Sequence, residues 1–183
     1  MASGRIICGD AFSLLAHMEG RSWDAVITDP PEQVGPTIIT QLLRVAKRVC
    51  IIEPLRTEWE VNPRPVPVYD PPRQQWAYWR VGFKDNIHFG QISFWRCPQI
   101  RTGMLVGECY EYDQRMLALH PGHKPAELFE DLLAYLDVQD VLDPFAGSGS
   151  VCAAAKRRGI NFLGIELEQA NARLCSAVLE GAL

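Results

Sequence analysis

The sequence predicts an α/β fold in which helices cover both faces of a doubly wound, mostly parallel sheet. Short apolar runs, each ending at a glycine, proline or acidic residue, alternate with segments of helical periodicity near both ends of the chain. The 183 residues suffice for one domain with a sizeable core. With 48% apolar and 22% charged residues, the chain has the balance of a globular protein. We therefore expect residues 1–183 to form a single domain.

The N-terminal elements follow from the apolar residues and from the residues that interrupt them. The expected order is strand 5–8, helix 11–18, strand 24–28, helix 36–46 and strand 49–52. The strand 24–28 must stop before Pro30 and Pro31, because proline cannot donate to a sheet ladder. Pro36 suits the first turn of a helix, and the apolar residues after it mark one helical face.

Regular alternation returns in the last third of the chain. The expected order is helix 125–136, strand 140–142, turn 143–150, helix 151–158, strand 162–165 and helix 169–179. Residues 55–119 differ, because a proline-rich loop is followed by alternating stretches at 76–83 and 87–95 that predict antiparallel strands. We expect 55–119 to be an inserted segment that faces the substrate.

Charge is unevenly distributed along the chain. The net charge is −4, but residues 61–101 contain six basic and two acidic side chains, so this stretch is +4 and the remainder is −8. The same stretch is rich in aromatic rings. Such a basic, ring-rich patch predicts a polyanion-binding face, although a small sheet whose rings pack on the core is the alternative. The candidate substrate-binding residues in it are Arg73, Trp76, Tyr78, Trp79 and Arg80.

Several functional classes are disfavoured by the sequence. The six cysteines form no CxxC pair, which is typical of reduced thiols in a cytoplasmic protein. No apolar run reaches the length of a membrane span, so we expect no membrane partner. His120 and His123 have HxxH spacing without a convincing third ligand. We therefore expect no metal, and expect both histidines to shape a turn or contact phosphate.

A nucleotide-like ligand is predicted from two adjoining patterns. In "VLDPFAGSGS" at 141–150, a strand leads into a Gly-Ser-Gly turn that opens a helix, where backbone can approach a ligand closely. In "INFLGIELE" at 160–168, Glu166 ends the next strand, and an acid there can accept hydrogen bonds from both hydroxyls of a ribose.

Together with these patterns, "GDAFSLL" at 9–15, "DAVITDPP" at 24–31 and "HPGHKP" at 120–125 resemble the DNA amino-methyltransferases. The resemblance covers about residues 4–52 and 119–179. It implies the Rossmann-like fold of the S-adenosylmethionine-dependent methyltransferases, and transfer of a methyl group to the exocyclic nitrogen of adenine or cytosine. The catalytic motif precedes the cofactor motif, which resembles the circularly permuted β class. A bacterial or phage restriction–modification context is also implied.

The resemblance implies roles for individual residues. Asp10 would lie near the adenine of the cofactor, Glu166 would bind its ribose, and Lys124 would lie beside the cofactor pocket. Ser150 stands where the family usually has threonine. The residues implied at the methionine end of the cofactor are Asp143, Phe145, Gly147, Ser148 and Gly149, with Ser150 next to them. Asp29 and the carbonyl of Pro30 would accept hydrogen bonds from the target amine, and Pro30 and Pro31 would hold these acceptors in place.

Glu32 departs from the family, because the residue after the second proline is normally aromatic and stacks on the extruded base. Three interpretations remain open: a ring from 55–119 replaces it, the substrate is not a flipped DNA base, or the protein binds cofactor and nucleic acid without efficient methylation. The expected function is therefore a DNA methyltransferase that favours adenine N6 over cytosine N4. A weak or inactive binding protein, or a methyltransferase acting on another substrate, is the alternative.

A second departure is the short middle segment, which leaves little room for target recognition. Relaxed specificity, a short recognition site or a homodimer would each compensate. Double-stranded and single-stranded DNA are both candidate partners.

Overall fold

The computed structural model describes residues 2–31, 34, 37–52, 74–83, 86–97, 105–111 and 113–182, with backbone alone for residues 74–83, 86–89 and 105–109. The described residues form one eight-stranded sheet and six helices. The strands are β1 (Gly4–Cys8), β2 (Trp23–Thr28), β3 (Ala46–Ile52), β4 (Gln74–Phe83), β5 (Asn86–Trp95), β6 (Leu105–Glu111), β7 (Asp140–Asp143) and β8 (Asn161–Glu166). The helices are α1 (Ala11–Ala16), α2 (Thr37–Val45), α3 (Gln114–Leu119), α4 (Ala126–Leu136), α5 (Ser150–Arg157) and α6 (Gln169–Glu180).

The strand order is β1-β8-β7-β2-β3-β5-β4-β6. The first five strands in this order are parallel to one another, whereas β5 is antiparallel to both of its neighbours and β6 is parallel to β4. The prediction of a mostly parallel sheet is therefore confirmed. From β7 the chain proceeds through α5 to β8, and from β2 it proceeds through α2 to β3 in the opposite direction. The strand order thus reverses between β7 and β2, the position at which open α/β sheets bind ligands.

Two apolar clusters cover the two faces of the sheet. On one face, α4, α5 and α6 contribute buried residues such as Phe129, Leu132 and Cys175. On the other face, α1 and α2 contribute Leu15 and Leu42. The strands between them are buried on both sides, which explains why β2 and β7 are continuous apolar runs rather than alternating ones.

Most predicted elements are present, with boundary shifts of a few residues. The helix 11–18 ends at Ala16, and β3 begins at Ala46, directly after α2. Two elements were missed: β6, an edge strand, and α3, a short helix capped by the Asp113 side chain, which accepts from the Arg115 and Met116 amides. Pro36 and Glu32 lie outside the described residues.

The strands β4, β5 and β6 extend the sheet beyond β3. A large part of the segment 55–119 thus completes the sheet. Within the described part of the chain, no helix combines the length and the apolarity that crossing a membrane requires.

Candidate active site

Four acidic residues follow or end neighbouring parallel strands. Asp10 lies just beyond β1, Glu166 ends β8, Asp143 ends β7, and Asp29 follows β2. Because the carboxyl ends of parallel strands meet at one edge of a sheet, the strand order places these four residues side by side, with the reversal of strand order between Asp143 and Asp29. The sequence motifs thus converge although they come from opposite ends of the chain.

A cavity of about 550 Å³ opens at this edge, a size within the usual range for small-molecule sites. All four acids line it, as do both prolines of the Asp-Pro-Pro motif. The predicted cofactor residues that line it are Asp10, Lys124, Asp143, Phe145, Gly147, Ser148, Ser150 and Glu166. Gly149 is the predicted cofactor residue that is not among the lining residues.

Asp143 lies at the floor of the cavity and is only 3% exposed. Its Oδ1 accepts hydrogen bonds from the Thr28 hydroxyl at 2.7 Å and from the Phe145 amide at 3.2 Å. Burial raises the pKa of the Asp143 carboxyl to about 7, and the nearby carboxylates of Asp29 and Glu166 add to this rise. The hydrogen bond to Thr28, the last residue of β2, joins the two strands at the point where the sheet order reverses.

The glycine turn between β7 and α5 is fastened by Glu166. Its Oε2 accepts from the Gly147 amide at 2.8 Å, and its Oε1 accepts from the Glu168 amide at 2.8 Å. Each carboxylate oxygen has a second lone pair, so both can still accept from a ligand hydroxyl. Asp10 caps α1 by accepting from the Ser13 amide and hydroxyl, and these hydrogen bonds lower the pKa of Asp10.

Gly149 adopts a left-handed conformation (φ +87°) and is the N-cap of α5. An added Cβ would lie closer than 3.0 Å to Sγ of Cys175, a fully buried residue of α6. Glycine is therefore needed here to let α6 pack against the turn, which explains why Gly149 does not line the cavity.

The turn at 120–125 packs against the glycine turn. Nδ1 of His123 lies 2.9 Å from the Ser148 hydroxyl and 3.2 Å from the Ser150 hydroxyl, and the Ser150 hydroxyl donates to the Lys124 carbonyl at 2.7 Å. Burial lowers the pKa of His123. His120 lines the cavity, its ring packs over Gly147, and its Nδ1 is buried without a hydrogen-bond partner among the described residues. The His123 amide donates to the His120 carbonyl at 2.9 Å, so both histidines belong to one turn, in which the His120 ring borders the cavity and the His123 ring contacts the two serines.

Lys124 forms an ion pair with Asp29, donating from Nζ to Oδ2, and also donates to the Gly122 carbonyl at 3.1 Å. The sequence placed Lys124 beside the cofactor but did not anticipate this pairing with the candidate catalytic carboxylate. The side chain is 11% exposed, compared with 25% for Asp29.

Among the apolar residues at the cavity that the sequence reasoning missed, two are exposed. Phe12 is 42% exposed and Leu167 is 64% exposed, yet both line the cavity. Phe12 lies two residues after Asp10, and Leu167 directly follows Glu166. This closeness in sequence to two predicted cofactor residues was the signal that could have identified them. Other predicted residues are not tested: Glu32 and Arg73 lie outside the described residues, and Trp76, Tyr78, Trp79 and Arg80 lie on β4, where the backbone alone is described.

Comparison with solved structures identifies the class of the fold. The chain is similar to the M1.HpyAVI complex with S-adenosylmethionine (TM-score 0.69, 18% identity, covering 96% of this chain and 100% of that chain). It is also similar to the cytosine-N4-specific PvuII DNA methyltransferase (TM-score 0.66, 15% identity, 96% and 86% covered) and to TTHA0409 of Thermus thermophilus (0.59, 19%, 98% and 94%). The fold is that of the S-adenosylmethionine-dependent methyltransferases.

The family follows from a second comparison. A family model described as DNA methylase matches residues 62–176, more than half of the chain. The chain therefore belongs to the DNA methylase family, whose cofactor is S-adenosylmethionine. Among curated proteins, YubD of Escherichia coli (strain K12) is 46% identical over 50 residues, which are 26% of this chain and 22% of YubD. That match thus spans about a fifth of the length of YubD.

Proposed function

We propose that this protein transfers a methyl group from S-adenosylmethionine to an exocyclic amino group of DNA, with adenine N6 favoured over cytosine N4. The observation that carries the proposal is the convergence of Asp29, Asp143 and Glu166 around one cavity beside a glycine turn. The preference for adenine rests on aspartate, rather than serine, before the two prolines, a tendency of the resembled family.

The chemistry of the cavity suits this cofactor. S-adenosylmethionine carries a sulfonium, an ammonium and a ribose diol, and carboxylates are appropriate partners for all three. Glu166 keeps free lone pairs for the ribose, and Asp143 lies at the floor beside the turn that would hold the methionine end. Phe12 and Leu167 supply exposed apolar surface at the cavity, where an adenine ring can be covered.

The proposed mechanism depends on hydrogen bonding to the target amine. An exocyclic amine of a base is a poor nucleophile because its lone pair is delocalised into the ring. Hydrogen bonds to the Asp29 carboxylate and the Pro30 carbonyl would draw the nitrogen toward tetrahedral geometry and localise that pair. The cofactor supplies an electrophilic methyl group on its sulfonium. The cavity would also hold the amine and the methyl group close together in the orientation for transfer, which would account for the rest of the rate acceleration.

Asp29 is suited to this role by its place in the chain. It follows directly after the fully buried Thr28, the last residue of β2. The prolines that follow restrict φ, and the Pro31 carbonyl accepts from the Val34 amide at 2.9 Å, which closes the turn beyond them. The acceptors are therefore held before charge develops on the amine.

Three architectural features complete the proposal. We propose that residues 1–183 form one methyltransferase domain with circularly permuted motifs, which is supported by the pairing of β2 with β7 although β2 comes first in the chain. Residues 55–119, including the basic and aromatic positions on β4, would face DNA. The small size of this segment, much of which builds the sheet, supports a reduced recognition region and a homodimer as the means of enlarging it.

The proposal is tested by incubating the protein with methyl-labelled cofactor and unmodified DNA, in single-stranded and double-stranded form, and digesting the product to nucleosides. We expect label in N6-methyladenine, and loss of label by at least about 100-fold in Asp29→Asn, because a developing charge loses its preorganised partner. Asp137→Asn, the same chemical change at the exposed C-cap of α4, is the matched control and should leave the label unchanged.

Other outcomes distinguish the alternatives. Cofactor binding without label above the Asp29→Asn background would favour a binding protein. Label in RNA or protein alone would favour a different substrate. Label in N4-methylcytosine would retain the enzyme class and reverse the base preference.

A further inference from the structure

The ion pair between Lys124 and Asp29 joins two parts of the site that are 95 residues apart. Asp29 follows β2, whereas Lys124 belongs to the turn at 120–125. Among the described residues that line the cavity, Lys124 is the one lysine or arginine, whereas five residues are acidic: Asp10, Asp29, Asp143, Glu166 and Glu168. Its ammonium is nevertheless directed to Asp29, the carboxylate nearest the proposed site of the amine.

The backbone of Lys124 is held independently of this ion pair. Its carbonyl accepts from the Ser150 hydroxyl, and the preceding residue, His123, contacts the hydroxyls of Ser148 and Ser150. These contacts anchor the lysine to the start of α5. Because the Lys124 backbone is already fixed, its side chain loses less conformational entropy when it pairs with Asp29.

The geometry of the pair leaves part of the carboxylate free. Lys124 engages Oδ2 of Asp29, and the other carboxylate oxygen offers two further acceptor positions. An ammonium bound to one oxygen restricts rotation of the carboxylate about the Cβ–Cγ bond. Its positive charge also offsets the repulsion between Asp29 and the neighbouring carboxylates. The free oxygen is then presented in a defined direction.

We propose that Lys124 is a positioning residue for Asp29: it holds Oδ2 so that Oδ1 accepts the hydrogen bond from the target amine. This inference rests on the proposed function. It predicts that Lys124 acts on turnover, whereas the role implied by the sequence resemblance, a contact beside the cofactor, predicts an effect on cofactor affinity.

The test uses Lys124→Met, which keeps an apolar stem of similar length, and Lys124→Arg, which restores the charge. Lys47→Met is the matched control, because Lys47 forms a Lys–Asp pair with Asp24 at the other end of the same strand, 2.6 Å between Nζ and Oδ1. We expect kcat to fall by about 100-fold in Lys124→Met with the cofactor Kd within about 3-fold of wild type. Lys124→Arg should recover about 10-fold of that loss, and Lys47→Met should change neither constant.

A second readout does not require activity. The rate at which acetic anhydride acylates each lysine is measured by mass spectrometry of the intact folded protein. Lys124 should be protected relative to Lys47, whose side chain is 58% exposed, and Asp29→Asn should raise the Lys124 rate selectively. Far-UV circular dichroism and urea unfolding confirm that each variant is folded.

Three results would overturn the inference. One is a weaker cofactor Kd in Lys124→Met with kcat unchanged, which would assign the lysine to the cofactor. Another is a faster Lys124→Met enzyme, which would mean that the lysine blocks the carboxylate. The third is equal acylation of Lys124 with and without Asp29. If the wild-type protein methylates nothing, the proposed function fails and the positioning role with it, while the acylation experiment still decides whether the pair exists.

Discussion

Replacing Gly149 with alanine perturbs the turn that positions the candidate cofactor site. The added Cβ would overlap Sγ of Cys175 and approach its Cβ and Cα to 3.2 and 3.3 Å. The residue would also hold φ at +87°, which costs an L-residue roughly 1–2 kcal/mol. Forcing an extra methyl against a buried side chain adds roughly 1–3 kcal/mol. We therefore expect Gly149→Ala to lower the free energy of unfolding by about 2–5 kcal/mol.

The matched control is Gly159→Ala. Gly159 also has positive φ (+72°), but an added Cβ there meets no atom within 4 Å, so only the backbone strain of roughly 1–2 kcal/mol applies. Urea unfolding, monitored by tryptophan fluorescence, gives the free energy of unfolding of both variants, provided that its slope against urea concentration is the same in each. Cofactor affinity, measured by calorimetry, should fall in Gly149→Ala and persist in Gly159→Ala, because displacement of the turn reaches the cavity in the first variant alone.

A double-mutant cycle isolates the steric part. Cys175→Ala removes the sulfur that the new methyl would overlap, so Gly149→Ala should be less harmful in the Cys175→Ala background by about 1 kcal/mol or more. Equal destabilisation by Gly149→Ala and Gly159→Ala, or a cycle without coupling, would refute the packing argument and leave backbone conformation as the sole reason for glycine.

Two further predictions concern the buried acids. Because the pKa of Asp143 is raised to about 7 in the folded protein from 3.8, ionisation of this group opposes folding, so its penalty is absent below pH 3.8, grows as pH rises toward 7 and is complete above it. Asp143→Asn should therefore have a larger free energy of unfolding than wild type between pH 5 and 8, by up to about 4 kcal/mol at the upper end. Urea unfolding of both proteins across this pH range measures the difference. A difference in stability that does not change with pH would contradict the prediction. Glu166→Gln keeps the shape but can accept from only one of the Gly147 and Glu168 amides, so we expect a loss of roughly 1–3 kcal/mol and weaker cofactor binding. Glu168→Gln, at an exposed position, is the control for stability. If the two variants had the same free energy of unfolding, Glu166 would not be fastening the turn.

Much of the site was predictable because its residues lie at strand ends. Apolar runs that stop at Asp29, Asp143 and Glu166 indicate buried parallel strands, and in a parallel sheet such ends must meet at one edge. This rule needs no knowledge of the order of the strands. In the structure, residues of both motifs line one cavity although most of the chain separates them, and their individual roles stay those that the family resemblance implies.

Other features lacked a local signal. The strand β6 lies at an edge in an irregular segment, where neither a continuous apolar run nor strict alternation is required. Gly147 and Gly149 look equivalent in the sequence, but one faces the cavity and the other meets α6. That difference depends on how a helix further along the chain packs, which no short window of sequence contains.

The sequence by itself determined most strands and helices outside β6 and α3, the carboxylates at the strand ends and the glycine turn, because backbone conformation and burial follow from local periodicity and from residues such as Pro30 and Gly149. Only the tertiary structure decided which groups are partners: Lys124 with Asp29, Thr28 with Asp143, and Glu166 with the amide of Gly147. Those pairings depend on the strand order of the sheet and on the packing of turns against it. They arise because helices and strands that are distant in sequence pack together, which brings charged groups, hydrogen-bond donors and acceptors into contact whatever their separation in the chain.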